Sequence, residues 1–399
     1  MTAWLARSVV AFVVVVVVVA WASCVSVALG AVGIPRAASN RLAAPVASRA
    51  LAAPPLVIRD VVSVRVARAL SDLSELWNGG PVVTPGGETL RILASSSYVD
   101  SPSARQSWAA FFGWLPHGAE LSRLTVYMAP LWEVQQICGA GALGCYGPSI
   151  QSMVVPGDRR QVNMDQVMAH EYGHHIASNR RNDPWNPNQW GAKRWATYAN
   201  VCQRVQSGSA APGDEGANYQ INPGEAFADT YRFMVGTRAT GSTSWNTPPA
   251  GGFLTPSFPN DAGAYAAVFA DATTPWTGAA HSEWQGQLKR PLVHVRVKKT
   301  IHTKNGSRRV WRIVTRPKTS GPPVPSTYSI PLPYDGIVTA TINSAPPGAG
   351  ITVLDASGTS TIGPVGVAAA SFTVCGQRGA TVRLTAAAPG AFDIALETP

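Results

Sequence analysis

The stretch that most constrains this chain is residues 167–176, which read Val-Met-Ala-His-Glu-Tyr-Gly-His-His-Ile. In a helix, His170 and His174 lie on the same face, because residues four apart are neighbours on a helix surface. Two imidazoles at this spacing can bind one zinc ion, and Glu171 lies beside that position, where it can accept a proton from water. The alternative is a pair of surface histidines on an amphipathic helix. We favour the zinc site, which then needs a third ligand from elsewhere in the chain.

This stretch has its own helix start signal. Asn163 can cap the helix, and Gln166 at the third helical position can complete a capping box. Gly173 costs roughly 1 kcal/mol relative to Ala in a helix interior, so it indicates either close backbone packing or room for a substrate. The pattern predicts a capped helix that ends within residues 179–184.

Glu225 is the candidate for the third ligand, 51 residues after His174. It follows a strong helix start, with Asn222 as the cap and Pro223 at the first helical position. Asp229 lies one turn further on the same face. One carboxylate of such a pair can bind zinc while the other orients a histidine ligand through its second ring nitrogen. Glu225 can also be interpreted as a capping-box glutamate, so both roles stay open at this point.

A third histidine ligand just beyond the first two is excluded. The H-E-x-x-H-x-x-G-x-x-H pattern requires Gly and His where this chain has Ala177 and Arg180. A carboxylate from a separate helix is therefore the expected ligand.

The combined motif resembles the gluzincin zinc metallopeptidases, the thermolysin-like group. His170-Glu-x-x-His174 followed by Glu225-x-x-x-Asp229 carries this resemblance. More narrowly, residues 57–235 are similar to the bacterial secreted or membrane-anchored neutral zinc metallopeptidases. The segments that carry this likeness are Cys138-Gly139…Cys145-Tyr-Gly-Pro, Val154-Val-Pro-Gly157 and His170-Glu-Tyr-Gly-His-His175. The long gap before Glu225 departs from the family pattern.

The resemblance implies an α+β zincin-like domain, with a small mixed sheet packed on the H-E-x-x-H helix and a mostly helical lower subdomain. It also implies a peptide or protein substrate, held in extended form at the edge of a strand near residues 149–155. Zinc would be bound by His170, His174 and Glu225, with Glu171 as general base and Asp229 hydrogen-bonded to His170. The expected second oxyanion donor is one of Tyr231, His281 and His175.

The N-terminal residues indicate export. Residues 8–34 carry no charge, and residues 13–19 are seven consecutive valines. Residues 1–33 therefore read as a signal peptide or, if not cleaved, a membrane anchor. Residues 34–56 are rich in Ala and Pro and are predicted to form a flexible tether. We expect the protein to be secreted or associated with the cell envelope.

Four cysteines remain after this segment, and an exported chain favours disulfides. Three pairings are possible. Cys138–Cys145 is the local one and closes a short Gly-rich loop; Cys202 would then pair with Cys375 by elimination. A cysteine zinc site is disfavoured because the chain has no C-x-x-C pair.

The second half of the chain is strongly basic in one region. The whole chain has 32 Lys+Arg against 22 Asp+Glu, a net charge of +10. Eleven of these cations fall within residues 284–334, which contain no Asp or Glu. Two alternating runs around Asn305-Gly306 predict a β-hairpin. An exported protein with this charge is expected to meet anionic lipid or envelope polymer rather than nucleic acid, although the hairpin could also be a solvated surface.

These patterns divide the chain into a catalytic domain at residues 57–285, a basic hairpin with a Pro-rich linker at 286–333, and a small β-sandwich at 334–399. Two functions follow. The leading hypothesis is an exported zinc peptidase with one catalytic ion. The alternative is a catalytically weak or inactive envelope-binding protein that uses the hairpin and the sandwich. The oligomeric state stays open.

Overall fold

The computed structural model describes residue 70 and residues 77–157, 163–213, 217–242 and 257–399. All of them lie within the compact unit Ala53–Pro399. The predicted signal or anchor segment, the tether and most of the segment before residue 77 lie outside the described residues. In the described ranges, no helix combines the length and apolar character needed to cross a membrane.

The first half of the described chain contains a five-stranded mixed sheet with the order β1-β2-β3-β5-β4. Its central strands run parallel, and an antiparallel strand lies at each side. The prediction of a small mixed sheet is therefore confirmed. The strands are β1 Trp77–Val83, β2 Thr89–Ser95, β3 Thr125–Ala129, β4 Cys145–Gly147 and β5 Ser152–Pro156.

One expectation about this sheet is wrong. A strand near residues 149–155 was expected to hold a substrate at its edge. The observed strand there is β5, which pairs with β3 on one side and with β4 on the other. All five residues of β5 are buried. The short strand β4, which follows the cysteine loop, covers Ser152–Val154 and takes the edge position.

The helices pack on this sheet and on one another. Their bounds are α1 Pro102–Trp114, α2 Leu131–Cys138, α3 Met164–Ser178, α4 Pro187–Trp190, α5 Lys193–Tyr198, α6 Val201–Gln206, α7 Pro223–Thr240 and α8 Ala262–Thr273. Residues 193–206 form two short helices, α5 and α6, rather than one. Asn200 between them has φ 53°, a left-handed conformation that a continuous helix does not allow. From α3 onward this part is mainly helical, as predicted.

The helix that carries the two histidines is α3. Its N-cap is Asn163, whose side chain accepts a hydrogen bond from the Gln166 backbone N–H. Nearly the whole helix is buried, because it packs between the sheet and α7. Asn222 caps α7 in the same way, accepting from the backbone N–H groups of Gly224 and Glu225.

The C-terminal part is a β-sandwich of two four-stranded antiparallel sheets, with the orders β13-β10-β15-β6 and β12-β11-β14-β9. A separate apolar core lies between them. The strands are β6 Ala280–Leu288, β9 Ser326–Pro331, β10 Gly336–Ser344, β11 Gly350–Asp355, β12 Thr361–Val367, β13 Ala369–Val374, β14 Gly379–Thr385 and β15 Gly390–Thr398. The boundary predicted at residue 334 is too late, because β6 and β9 supply an outer strand to each sheet.

The predicted hairpin is present between β6 and β9. It consists of β7 Leu292–Thr303 and β8 Gly306–Pro317, which pair along their full length.

The sandwich is fixed to the helical part. The predicted disulfides Cys138–Cys145 and Cys202–Cys375 are both present, and the second one joins α6 to the end of β13. The buried Lys193 ammonium donates to the Asp183 and Asp335 carbonyl oxygens.

Candidate metal centre

Two helices supply three metal-binding side chains to one point. His170 and His174 come from α3 and Glu225 comes from α7, and all three are buried. The two Nε2 atoms are 3.1 Å apart. Glu225 Oε2 lies 3.3 Å from Nε2 of His170 and 3.7 Å from Nε2 of His174. The structure therefore brings the three predicted ligands together.

The geometry of these three atoms fits a metal ion. The point equidistant from them lies about 2 Å from each, the length of a Zn–N or Zn–O bond. Glu225 Oε2 is buried and makes no hydrogen bond of normal geometry in the part of the chain that the structure describes. The hydrogen bond to Asp229 places the proton of a neutral His170 on Nδ1, so its Nε2 lone pair points toward the Glu225 carboxylate. Lone pairs that face one another in a buried site are stabilised by a cation between them.

Asp229 fixes the orientation of one ligand. Its Oδ1 accepts a hydrogen bond from His170 Nδ1 at 2.9 Å, as predicted. It also accepts from Arg232 Nε at 3.0 Å, and Arg232 Nη1 donates to Gln166 Oε1 at 2.8 Å. Arg232 is fully buried and was not singled out in the sequence. Its position three residues after Asp229 on a helix was the signal that could have revealed it.

The charges of this cluster stabilise one another. Burial raises the pKa of Asp229, but the Arg232 charge and the His170 hydrogen bond outweigh it and hold that pKa below its usual value. Both histidines likewise outweigh burial and lower the pKa of Glu225. Burial lowers the pKa of His170, yet the hydrogen bond to Asp229 and the nearby Glu225 carboxylate raise it overall. The carboxylates therefore favour a cation at this place, either a proton or a metal ion.

Close packing of the two helices sets the spacing of the ligands. A Cβ atom on Gly173 would lie 2.7 Å from Ala228 Cα on α7. Gly173 precedes His174, and Ala228 lies between Glu225 and Asp229. Of the two interpretations of this glycine, close backbone packing is the one that the structure shows.

Glu171 lies against the loop closed by the Cys138–Cys145 disulfide. A Cβ atom on Gly144 would be 2.6 Å from Glu171 Oε1 and 2.9 Å from Val167 Cγ1. The Glu171 side chain is fully buried. The loop backbone therefore limits where its carboxylate can lie. Nothing in the sequence spacing indicated this contact.

Tyr219 is a further residue that the sequence did not single out. It precedes α7, and its buried hydroxyl has no hydrogen bond of normal geometry among the described residues. Burial, together with the charges of Glu225 and Asp229, raises the pKa of Tyr219 well above its ordinary value. The hydroxyl therefore lies near the carboxylates of the cluster.

The three candidates for a second oxyanion donor lie elsewhere. The Tyr231 hydroxyl donates to the Pro116 carbonyl oxygen at 2.7 Å. His175 Nε2 donates to the Glu120 carbonyl oxygen at 2.9 Å, and burial lowers the pKa of His175 to about 4. His281 is exposed in β6.

None of the hydrogen bonds described for these three side chains reaches a ligand. For Tyr231 and His175, which share a helix with a ligand, the physical reason is helix geometry. Tyr231 is six residues after Glu225, a rotation of about 240°, and His175 is rotated about 100° from His174.

Comparison with models of known protein families and with curated proteins finds no match to this chain. The centre must therefore be interpreted from its own chemistry. It is a buried group of two imidazoles and one carboxylate that can hold a metal ion. A further carboxylate, Glu171, lies on α3 together with the two histidines.

Proposed function

We propose that the chain is an exported zinc-dependent peptidase of the gluzincin type, with a zincin-like catalytic domain that hydrolyses peptide bonds. One observation carries the proposal: three metal-binding atoms converge to a point about 2 Å from each, with Asp229 behind one of them. The presence of two disulfides supports export, because disulfides persist in oxidising compartments.

Zinc is the metal that this donor set fits best. Two imidazole nitrogens and one carboxylate oxygen are a known catalytic zinc set, which leaves one coordination position open. A bound zinc ion would supply a Lewis acid that polarises the scissile carbonyl group and lowers the pKa of water. His170, His174 and Glu225 would hold it.

Asp229 keeps His170 in the form that a metal requires. A ligating imidazole must be neutral and must present Nε2 to the metal. The 2.9 Å hydrogen bond from His170 Nδ1 to Asp229 holds the proton on the nitrogen that faces away from Glu225. Arg232 neutralises Asp229 in turn, so this support carries no net charge of its own.

Glu171 is the general base in this proposal. It accepts a proton from the attacking water and later donates it to the leaving amine. A carboxylate does this best when its position is fixed before the substrate arrives. The contact with Gly144 and the full burial of Glu171 support that role.

Zinc content and peptide cleavage test the proposal together. The wild-type chain should bind one zinc ion per molecule and cleave casein. Glu171→Gln should keep the zinc and lose roughly 10²–10⁴-fold in cleavage rate. Glu225→Gln should lose the zinc. Glu283→Gln, an exposed glutamate in β6, is the matched control and should change neither.

Two outcomes would contradict the proposal in different ways. Zinc binding without cleavage by the wild type would reject the peptidase and favour the envelope-binding alternative. Unchanged zinc affinity in Glu225→Gln would reject the third ligand even if cleavage is observed.

A further inference from the structure

The β7–β8 hairpin is the smallest sheet, by number of strands, in the part of the chain that the structure describes. Its strands pair with each other over twelve residues and with no other strand in the described ranges. Isolated two-stranded sheets are marginally stable in water. Residues 292–317 contain eight Lys or Arg and no Asp or Glu, and the described residues include no ion pair to any of these cations.

One face of the hairpin combines three of these eight cations with large apolar side chains, and four others lie on the opposite face. Successive residues of a strand alternate between faces, and cross-strand partners share a face. Arg296 pairs with Ile313, Lys298 with Trp311 and Thr300 with Arg309. Leu292 lies on the same face. We call the cationic and large apolar side chains of this face the Trp face: Leu292, Arg296, Lys298, Arg309, Trp311 and Ile313.

The apolar side chains of the Trp face are open to solvent. Leu292 is 67% exposed, Trp311 61% and Ile313 66%. The Lys298 ammonium lies 4.9 Å from the centre of the Trp311 ring. Exposed apolar side chains of this size indicate a binding surface when they cluster. The valines of the opposite strand face, such as Val293, Val295 and Val297, are partly buried.

We propose that the Trp face binds the surface of an anionic lipid bilayer. A bilayer offers both properties that this face requires: negative headgroups for the cations and an interfacial layer in which Trp and aliphatic side chains are stable. A soluble anionic polymer would satisfy the cations but would leave Trp311 and Ile313 in water. Each Lys or Arg near such a surface contributes about fivefold in binding.

The base of the hairpin extends the same positive surface. A groove of about 650 Å³ lies between the hairpin and the sandwich, and its lining includes Lys289, Arg290 and Lys318. Leu292 of the Trp face lines the same groove, so these three cations lie beside that face at the body of the protein.

Vesicle binding by the full chain tests this inference. We expect binding to vesicles of phosphatidylcholine with phosphatidylglycerol to exceed binding to phosphatidylcholine alone. Arg296→Gln with Lys298→Gln should reduce the preference for anionic vesicles roughly 25-fold, the product of two contributions of about fivefold each. All variants carry the same N-terminal segment, so its contribution cancels when each variant is compared with the wild type on the same vesicles.

The apolar contribution has a matched control. Trp311→Ala with Ile313→Ala should weaken binding to anionic vesicles. Trp132→Ala with Val365→Ala, which are 57% and 65% exposed elsewhere in the protein, should leave it unchanged. An unchanged unfolding midpoint would show that the variants are folded.

A local measurement identifies the surface that binds. Hydrogen exchange in residues 292–317 should slow when anionic vesicles are added. Unchanged exchange there would overturn the proposal. A second result would also overturn it: soluble polyglutamate binds as tightly as anionic vesicles, and Trp311→Ala with Ile313→Ala does not weaken that binding. An anionic polymer would then be the partner.

Discussion

The metal centre and the β7–β8 hairpin both concentrate ionisable side chains, but in opposite surroundings. Around α3 and α7, His170, Glu225, Asp229 and Arg232 are buried, and each lies beside an opposite charge or a hydrogen-bond partner. On the hairpin, eight cations are exposed, and no acid among the described residues forms an ion pair with them.

The difference follows from the cost of removing a charge from water. A buried charge is tolerated when it is paired, so the arrangement around the metal centre is determined jointly by all its members. An exposed charge is solvated by water and needs no ion-pair partner within the protein, so it can bind another molecule. Substitutions should therefore disturb stability and metal binding at α3 and α7, and should disturb surface binding alone at the hairpin.

Asp229→Asn should have the largest effect. It removes the Asp229 charge that pairs with the buried Arg232 guanidinium, which costs about 3–5 kcal/mol in unfolding free energy. It also weakens the hydrogen bond to His170, so zinc affinity should fall about 10–100-fold. Urea unfolding and competition with a chelator measure the two effects.

The control for this prediction is an exposed ion pair of the same kind. Arg181 and Asp183 are more than half exposed. Asp183→Asn should cost less than about 1 kcal/mol and leave zinc affinity intact. If both substitutions had the same effect, burial would not be the cause of the difference.

Gly144→Ala should reduce activity while the metal stays bound. The new Cβ would lie 2.6 Å from Glu171 Oε1, so the carboxylate must move. A misplacement of about 1 Å in an active site costs on the order of 10²-fold in kcat. Gly144 has no positive φ, so the substitution introduces no backbone strain. The readouts are kcat for a peptide substrate and bound zinc.

Gly80→Ala is the matched control, because a Cβ atom added there would have no neighbouring atom within 4 Å. It should leave kcat unchanged. A fully active Gly144→Ala variant would show that the disulfide loop does not position Glu171.

Local patterns in the sequence predicted much of this molecule. The caps Asn163 and Asn222, the i,i+4 histidines and the hairpin alternation each depend on residues near one another in the chain, and each is found in the structure. The joining of Glu225 to the histidines was predicted from a family resemblance and from the chemistry of a third ligand.

Contacts between distant segments could not be predicted in the same way. The position of Gly144 on Glu171 depends on the path of the cysteine loop over α3, and the insertion of β4 beside β5 depends on the same path. Strand partners in the sandwich are also nonlocal, which is why β6 and β9 were assigned to other segments. Tyr231 is a different case, since helix geometry alone could have excluded it.

Lys193 gives a prediction at the contact between the helical part and the sandwich. Burial lowers the pKa of Lys193 to about 8, although the nearby Asp183, Asp335 and Asp271 oppose this. Between pH 8 and the unfolded value near 10.5, the unfolded chain binds more protons than the folded one. The unfolding free energy contributed by Lys193 should therefore increase with pH, by about 2 kcal/mol from about pH 8 to about pH 10.

The measurement is the difference in unfolding free energy between the wild type and Lys193→Met at the two pH values. Because the two proteins share all other titrating groups, the contributions of those groups cancel in this difference of unfolding free energies. An equal pH dependence in both proteins would mean that Lys193 titrates normally in the folded state. The neutral amine can still donate to the two carbonyl oxygens that it contacts.

The smallest effect on stability is expected at the hairpin. Arg296→Gln with Lys298→Gln should change the unfolding free energy by less than about 0.5 kcal/mol, because these exposed cations have no described ion pair to lose. Zinc content should be unchanged as well. A loss above about 1 kcal/mol in urea unfolding would give these cations a structural role, and the contrast with Asp229 would fail. A neutral result, combined with weaker binding to anionic vesicles, would instead place their contribution in surface binding alone.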